Sequence, residues 1–178
     1  HNDIRSNNFS WGIRIDAYDE VHARDSTSQL MGAGSNYNYF YDNDFTHGGD
    51  GIFIRVGNGW SCEGNVFANN DTSFANNNAV ESWAGRNYFI GNKANYSSYG
   101  FWMGGTDESS LYYNEVAYNG IMPANAAERG AGNGGLVYLN GTAEHVELVG
   151  NHIHNNNGSG IAIRYDVSKR TDGYVAGH

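Results

Sequence analysis

Asn65-Val66-Phe67-Ala68-Asn69-Asn70 is answered 22 residues later by Asn87-Tyr88-Phe89-Ile90-Gly91-Asn92, and this recurrence decides the fold. The shared form is Asn-x-apolar-x-x-Asn. It returns as Asn114-Glu115-Val116 with Asn119 and as Asn151-His152-Ile153 with Asn156, and it opens the chain as Asn2-Asp3-Ile4 with Asn7. Asn43-Asp44-Phe45 supplies the first half, with Gly48 in the last slot. Taking the leading asparagines as equivalents gives steps of 22 from Asn43 to Asn65 and from Asn65 to Asn87, then 27 to Asn114 and 37 to Asn151. The longer steps read as loops inserted on a constant coil. A fixed period in this range is the sequence signature of a repeat architecture.

A second element follows each asparagine pair after a variable gap. It reads Gly12-Ile13-Arg14-Ile15, Gly51-Ile52-Phe53-Ile54, Gly100-Phe101-Trp102-Met103 and Gly160-Ile161-Ala162-Ile163, with weaker copies at Ala79-Val80-Glu81-Ser82 and Gly135-Leu136-Val137-Tyr138. Strict alternation marks a strand with one face buried. Two short strands per repeat, joined by asparagine and glycine turns, describe one turn of a parallel β-solenoid. Asparagine side chains stacked from coil to coil would satisfy the turn backbone. The cadence resembles the right-handed parallel β-helix proteins of the pectin-lyase-like superfamily, with NosD/CASH-type repeats. The expected fold is therefore all-β, a right-handed single-stranded parallel β-helix of about six to seven coils. The resemblance implies a surface used on polysaccharides by lyases, hydrolases, epimerases and phage tailspikes. In β-helix lyases of this superfamily an Arg or Lys abstracts the C5 proton of the sugar, while Ca²⁺ or another base offsets the carboxylate charge.

Composition agrees with the repeat. The chain has 178 residues, enough for one domain over 1–178, with a larger loop insertion near 120–134. Glycine numbers 25 and so does asparagine, whereas charged residues are only 16%. Both common residues disfavour helix interiors and suit tight turns. A net charge of −9 argues against nucleic acid as a partner, since phosphate contacts need clustered Lys and Arg. No apolar run approaches a membrane span, so membrane insertion is not expected. Cys62 is the only cysteine, which excludes an intrachain disulfide. The chain begins inside one repeat element and stops just before another, so a piece of a longer solenoid, or end-to-end stacking of copies, is expected.

Candidate chemistry follows from alignment of the inward Ile positions. The outward x positions then form a column of Arg14, Phe53, Glu81, Trp102, Val137 or Tyr138, and Ala162. Two residues on runs a second column of Asp16, Arg55, Trp83, Gly104 and Arg164. Aromatic faces suit sugar rings, and arginines suit uronate carboxylates. Glu81, between apolar neighbours, should have a raised pKa and serve as an acid. Asp71 is the second acid considered, against a default role as a turn residue, and Arg55 is the substrate-charge partner. Arg14, Phe53, Trp83 and Trp102 are expected to bind substrate, together with Asp50 and His47, whose segment His47-Gly48-Gly49-Asp50 interrupts the asparagine pattern.

His152 and His154 flank Ile153 on one strand face, a spacing that can chelate, with His145 nearby. Polar outward pairs are routine in such proteins, and no metal ligands are assigned. No acidic loop matches a dedicated calcium site, although Ca²⁺ remains a candidate cofactor through the resemblance. Gly130–Gly135 lacks the Lys-Ser/Thr and the following helix of a phosphate loop. The expected function is a secreted or cell-surface protein that binds and cleaves an extended polysaccharide. The rival is a non-catalytic structural or adhesive solenoid.

Overall fold

Each Gly-Ile-x-Ile element forms a strand because its apolar residues can turn to one side while the glycine lets the neighbouring coil approach. At Gly51 a Cβ would lie 2.6 Å from the carbonyl oxygen of Ala79, and Gly100 and Gly135 are equally confined. The structure is a computed structural model describing residues 13–17, 35–56, 61–120, 134–139 and 143–163. Among these residues there is no helix. The strands are β1 (Ile13–Ala17), β2 (Tyr39–Tyr41), β3 (Ile52–Val56), β4 (Val66–Ala68), β5 (Asn78–Ser82), β6 (Tyr88–Ile90) and β7 (Tyr99–Gly104). They continue as β8 (Ser110–Tyr112), β9 (Glu115–Ala117), β10 (Leu136–Leu139), β11 (Glu147–Val149), β12 (His152–His154) and β13 (Ile161–Ile163).

All pairings are parallel. The largest sheet runs β1-β3-β5-β7-β10-β13, and a second runs β2-β4-β6-β8-β11. The third consists of β9 and β12, extended by single bridges linking Asp44, Asp71, Lys93 and Glu115. The chain visits the three sheets in rotation, which is the course of a parallel solenoid. Each coil therefore has three strand positions where the sequence suggests two. The third is a one-residue bridge in the coils of Asp44, Asp71 and Lys93, too short to leave an alternating pattern.

The inward residues form stacks along the solenoid. Phe40, Phe67 and Phe89 lie nearly parallel at ring-centroid spacings of 5.2 Å, and Phe101 meets Phe89 edge-on. Ile52, Ile54, Val80, Met103, Leu111 and Leu136 fill the rest and are fully buried. Tyr138 points into this core, where its hydroxyl pairs with Ser109 Oγ at 3.0 Å, and burial pushes its pKa up to about 12. Its neighbour Val137 therefore holds the outward slot of β10, opposite Trp102 and Ala162.

The asparagines form the expected ladders, but in a different alignment. Asn92 Oδ1 accepts from the backbone N–H of Asn70 at 2.9 Å and from Asn70 Nδ2 at 3.0 Å. Asn92 Nδ2 donates to Asn114 Oδ1 at 3.0 Å and to the carbonyl of Phe67 at 2.9 Å. The full ladder is Asn43-Asn70-Asn92-Asn114-Asn151, beside Asn38-Asn65-Asn87 and Asn119-Asn156. Asn43 thus stacks on Asn70 rather than Asn65, and Asn114 on Asn92 rather than Asn87. The coil steps are 27, 22, 22 and 37 residues, so the first long step precedes Asn65. The last long step contains the insertion expected over 120–134, of which 121–133 lie outside the described residues, as do the early repeat at Asn2 and Arg164.

The residue immediately before each ladder position turns the corner in the left-handed region. Tyr37, Asp42 and His47 do so in one coil, and Arg86, Gly91 and Tyr96 in another. Among the described residues, all twelve non-glycine residues with positive φ occupy these corners, so the conformation belongs to the coil rather than to any one side chain. Such a residue costs about 1–2 kcal/mol. The ladder bonds and the burial that each corner permits offset that cost.

Candidate functional site

The outward face of the six-stranded sheet carries the two expected columns. Register pairs Arg14 with Phe53, Phe53 with Glu81, Glu81 with Trp102, and Trp102 with Val137. Asp16 pairs with Arg55 in the second column, and Trp83, one residue beyond β5, continues it through a backbone bond to the carbonyl of Ile54. The parallel ladder brings Trp83 and Trp102 together, with ring centroids 4.6 Å apart and planes inclined at 49°. Gly104 is their floor. A Cβ at that position would lie 2.6 Å from the Trp102 ring and 3.0 Å from that of Trp83, so only glycine admits this arrangement.

Glu81 lies beside the two indoles. Its Oε1 accepts the Trp83 Nε1–H at 2.7 Å and its Oε2 accepts from Asn78 Nδ2 at 2.5 Å. Burial raises its pKa above the ordinary carboxylate value, and the nearby Asp50 charge adds to the rise, while the two hydrogen bonds oppose it. Asp50 is buried and committed to the scaffold, its Oδ1 accepting from Asn77 Nδ2 at 3.0 Å and from the backbone N–H of Asn78 at 2.9 Å. Asn78 carries one buried side-chain oxygen without a hydrogen-bond partner.

The remaining sequence candidates divide between this face and others. Arg14 lies with its guanidinium 5.7 Å from the centre of the Phe53 ring, and Arg55 is half-buried in the adjoining column. Asp71 stands in the third sheet, bridged between Asp44 and Lys93, with its Oδ1 accepting the Ser73 N–H at 3.1 Å. It shares neither strand nor sheet with Glu81. His47 is a corner residue whose ring stacks on Phe74 at 5.0 Å. From there Phe74, Tyr96 and Tyr118 continue an outer stack at 4.9 Å intervals.

Trp83 also borders an open groove of about 390 Å³ on the side of the five-stranded sheet. Arg86 lies in it between Glu63 and Glu108, with N–O separations of 3.2 and 3.1 Å, and Asp107 adds a further acid. Asp107 and Glu108, at the exit of the Gly100 strand, were weak candidates in the sequence, whereas Glu63 and Arg86 sit in turns where the repeat carries no alternation that would have singled them out. A second set missed from sequence is the exposed outer face of the five-stranded sheet. There Tyr39 and Tyr41 lie 5.0 Å apart, and Tyr88 and Tyr112 follow on β6 and β8. The signal was available: all four tyrosines flank the inward apolar residue of their strand.

The third sheet holds a separate polar cluster in which Glu115, His152 and His154 bring donor atoms within 4.8 Å of one another. His145, the histidine whose spacing suggested a third partner, is a corner residue next to β11. No family model, curated protein or solved structure matches the chain.

Proposed function

We propose that this protein holds an extended polysaccharide across the outward face of the six-stranded sheet and cleaves it by lyase or hydrolase chemistry. The single observation that supports the reading is the cluster of Trp83, Trp102 and Glu81 on Gly104. Two indoles offer apolar faces to sugar rings, and a carboxyl beside them is held toward its protonated form. Glycosidic cleavage needs a proton on the leaving oxygen, and a half-buried glutamic acid of raised pKa can deliver one. Arg55 and Arg14 lie along the same face and would offset carboxylates of an acidic glycan. Asp71, on a different sheet, is better read as a turn residue than as the second acid. The finer fold assignment, a right-handed β-helix of the pectin-lyase-like kind, belongs to the same reading. Parallel crossovers are right-handed in about 98% of cases. Polysaccharides of this kind are met outside the cell or at its surface.

The test is a depolymerisation and binding screen on acidic and neutral polysaccharides, with and without Ca²⁺. New reducing ends establish a carbohydrase, and an unsaturated uronate product selects a lyase over a hydrolase. Binding without cleavage reduces the protein to a sugar-binding module. Absence of both overturns the proposal in favour of a structural solenoid.

A further inference from the structure

The outermost strand pair of the third sheet places two imidazoles and a carboxylate on one face. Parallel register sets His152 opposite Glu115 and His154 opposite Ala117. Val116 and Ile153 face the core, so alternation turns Glu115, His152 and His154 outward together. Ala117 is too small to occupy the space facing it, and the His154 ring lies within that space, edge-on to Tyr118. The two imidazoles are 4.1 Å apart between centroids. His154 Nε2 is 3.6 Å from Glu115 Oε1, is shielded from solvent, and has no hydrogen-bond partner.

A shielded imidazole nitrogen without a hydrogen-bond partner is costly unless a proton shared with the carboxylate, a water or an ion satisfies it. In a tetrahedral shell with metal–ligand bonds of about 2.0–2.1 Å, neighbouring ligand atoms are about 3.3 Å apart. The Nε2–Oε1 separation is already close to that, and a small rotation of the exposed His152 brings in the third donor. We propose that Glu115, His152 and His154 form a binding site for a divalent transition-metal ion of the zinc class. Two imidazoles and one carboxylate suit zinc, cobalt, nickel or copper, whereas calcium and magnesium prefer all-oxygen shells. Three protein donors leave a fourth position for water. The ion would also clip β12 to β9 at the end of the sheet, across a step of 37 residues of chain, so its binding should raise the melting temperature.

The experiment is titration of the full chain with Zn²⁺ at neutral pH, followed by calorimetry and by the metal-dependent shift in melting temperature. Expected is one high-affinity ion per chain, with Ca²⁺ failing to compete. His154→Ala and Glu115→Gln should each weaken it by about tenfold or more, and His145→Ala should leave it unchanged. Metal-free melting curves of each variant show that the loss is not unfolding. Substitution by Co²⁺ in the unaltered protein, giving the intense absorption of a tetrahedral site, supports the assignment even if a variant fails to fold. Unchanged zinc affinity in both ligand variants, an equal loss in His145→Ala, or an octahedral cobalt spectrum overturns it.

Discussion

Trp83 and Glu81, two residues apart on the same outward face, are joined by an indole N–H bond to the carboxylate at 2.7 Å. The bond favours the ionised acid, while burial, the larger effect, favours the protonated one. The same indole that offers a stacking surface therefore also restrains the pKa of the proposed proton donor.

That dual role separates two substitutions. Glu81→Gln is expected to lower turnover of a cleaved polysaccharide by about a hundredfold or more while leaving its binding intact. Trp83→Phe keeps an aromatic ring but deletes the donor, so the Glu81 pKa should rise further. The alkaline limb of the pH–rate profile, where the donor loses its proton, should then move to higher pH. A profile that stays in place would mean that the limb belongs to another group.

The same acid makes stability depend on pH in a definite direction. Its folded pKa lies above the ordinary 4.5, so the fold prefers the protonated form. The contribution is complete below that ordinary value and is lost as pH rises through the raised folded value. The stability of Glu81→Gln relative to the unaltered chain should therefore grow as pH rises above the ordinary carboxylate value and level off once the pH has passed the raised folded value. Asn78 can rotate its amide to present the unpaired oxygen to the new Nε2, which accommodates the substitution. Paired urea titrations at several pH values test this, and a constant difference would show that Glu81 does not titrate abnormally.

Asn92→Ala should be among the costlier substitutions in the chain. It leaves the Asn70 backbone N–H unpaired in the buried ladder and removes the side-chain bond to the Phe67 carbonyl, at about 2 kcal/mol. Asn151→Ala, at the partly buried end of the same ladder, should cost less. Urea midpoints measure both, and equal costs would indicate that ladder bonds contribute no more inside than at the end.

Gly104→Ala is expected to separate the two indoles while the coil remains folded, since its backbone is not in the left-handed region. Tryptophan fluorescence should shift and affinity for a bound glycan should fall by about tenfold, with thermal unfolding changed little. Retained affinity would move the sugar-binding surface elsewhere, most directly to the Tyr39, Tyr41, Tyr88 and Tyr112 face.

The outward columns were legible in sequence because glycine marks the phase of most strands of the six-stranded sheet. Gly51 and Gly100 stand where a Cβ would collide with the neighbouring coil, so counting from them gives the register of Phe53 and Trp102. Glu81, whose element opens on Ala79, followed from the apolar alternation alone, and the choice between Val137 and Tyr138 on β10 was settled only by the structure. The asparagine phase was not legible, for a geometric reason. Each coil has three corners five residues apart, as at Asn87, Asn92 and Ser97 or at Ser109, Asn114 and Asn119. A coil with asparagine at the first two corners reads the same as one with asparagine at the last two, and only the hydrogen bonds distinguish them. Glu115 was legible beside His152, because the step of 37 residues from Asn114 to Asn151 is the one the ladder shows and sets the two residues opposite each other. Outward polar pairs are simply common enough in such repeats that spacing alone does not mark a ligand set.

Separation along this chain says little about separation in space. Steps of 22, 27 and 37 residues all advance the solenoid by one strand spacing, about 4.8 Å. Loops can lengthen at a corner without altering the axial pitch at which Phe53, Glu81 and Trp102 follow one another. A linear polymer lying along that axis would meet the same graduations whatever is inserted between them, so the spacing of its recognition is a property of the backbone and its chemistry alone is left to the side chains.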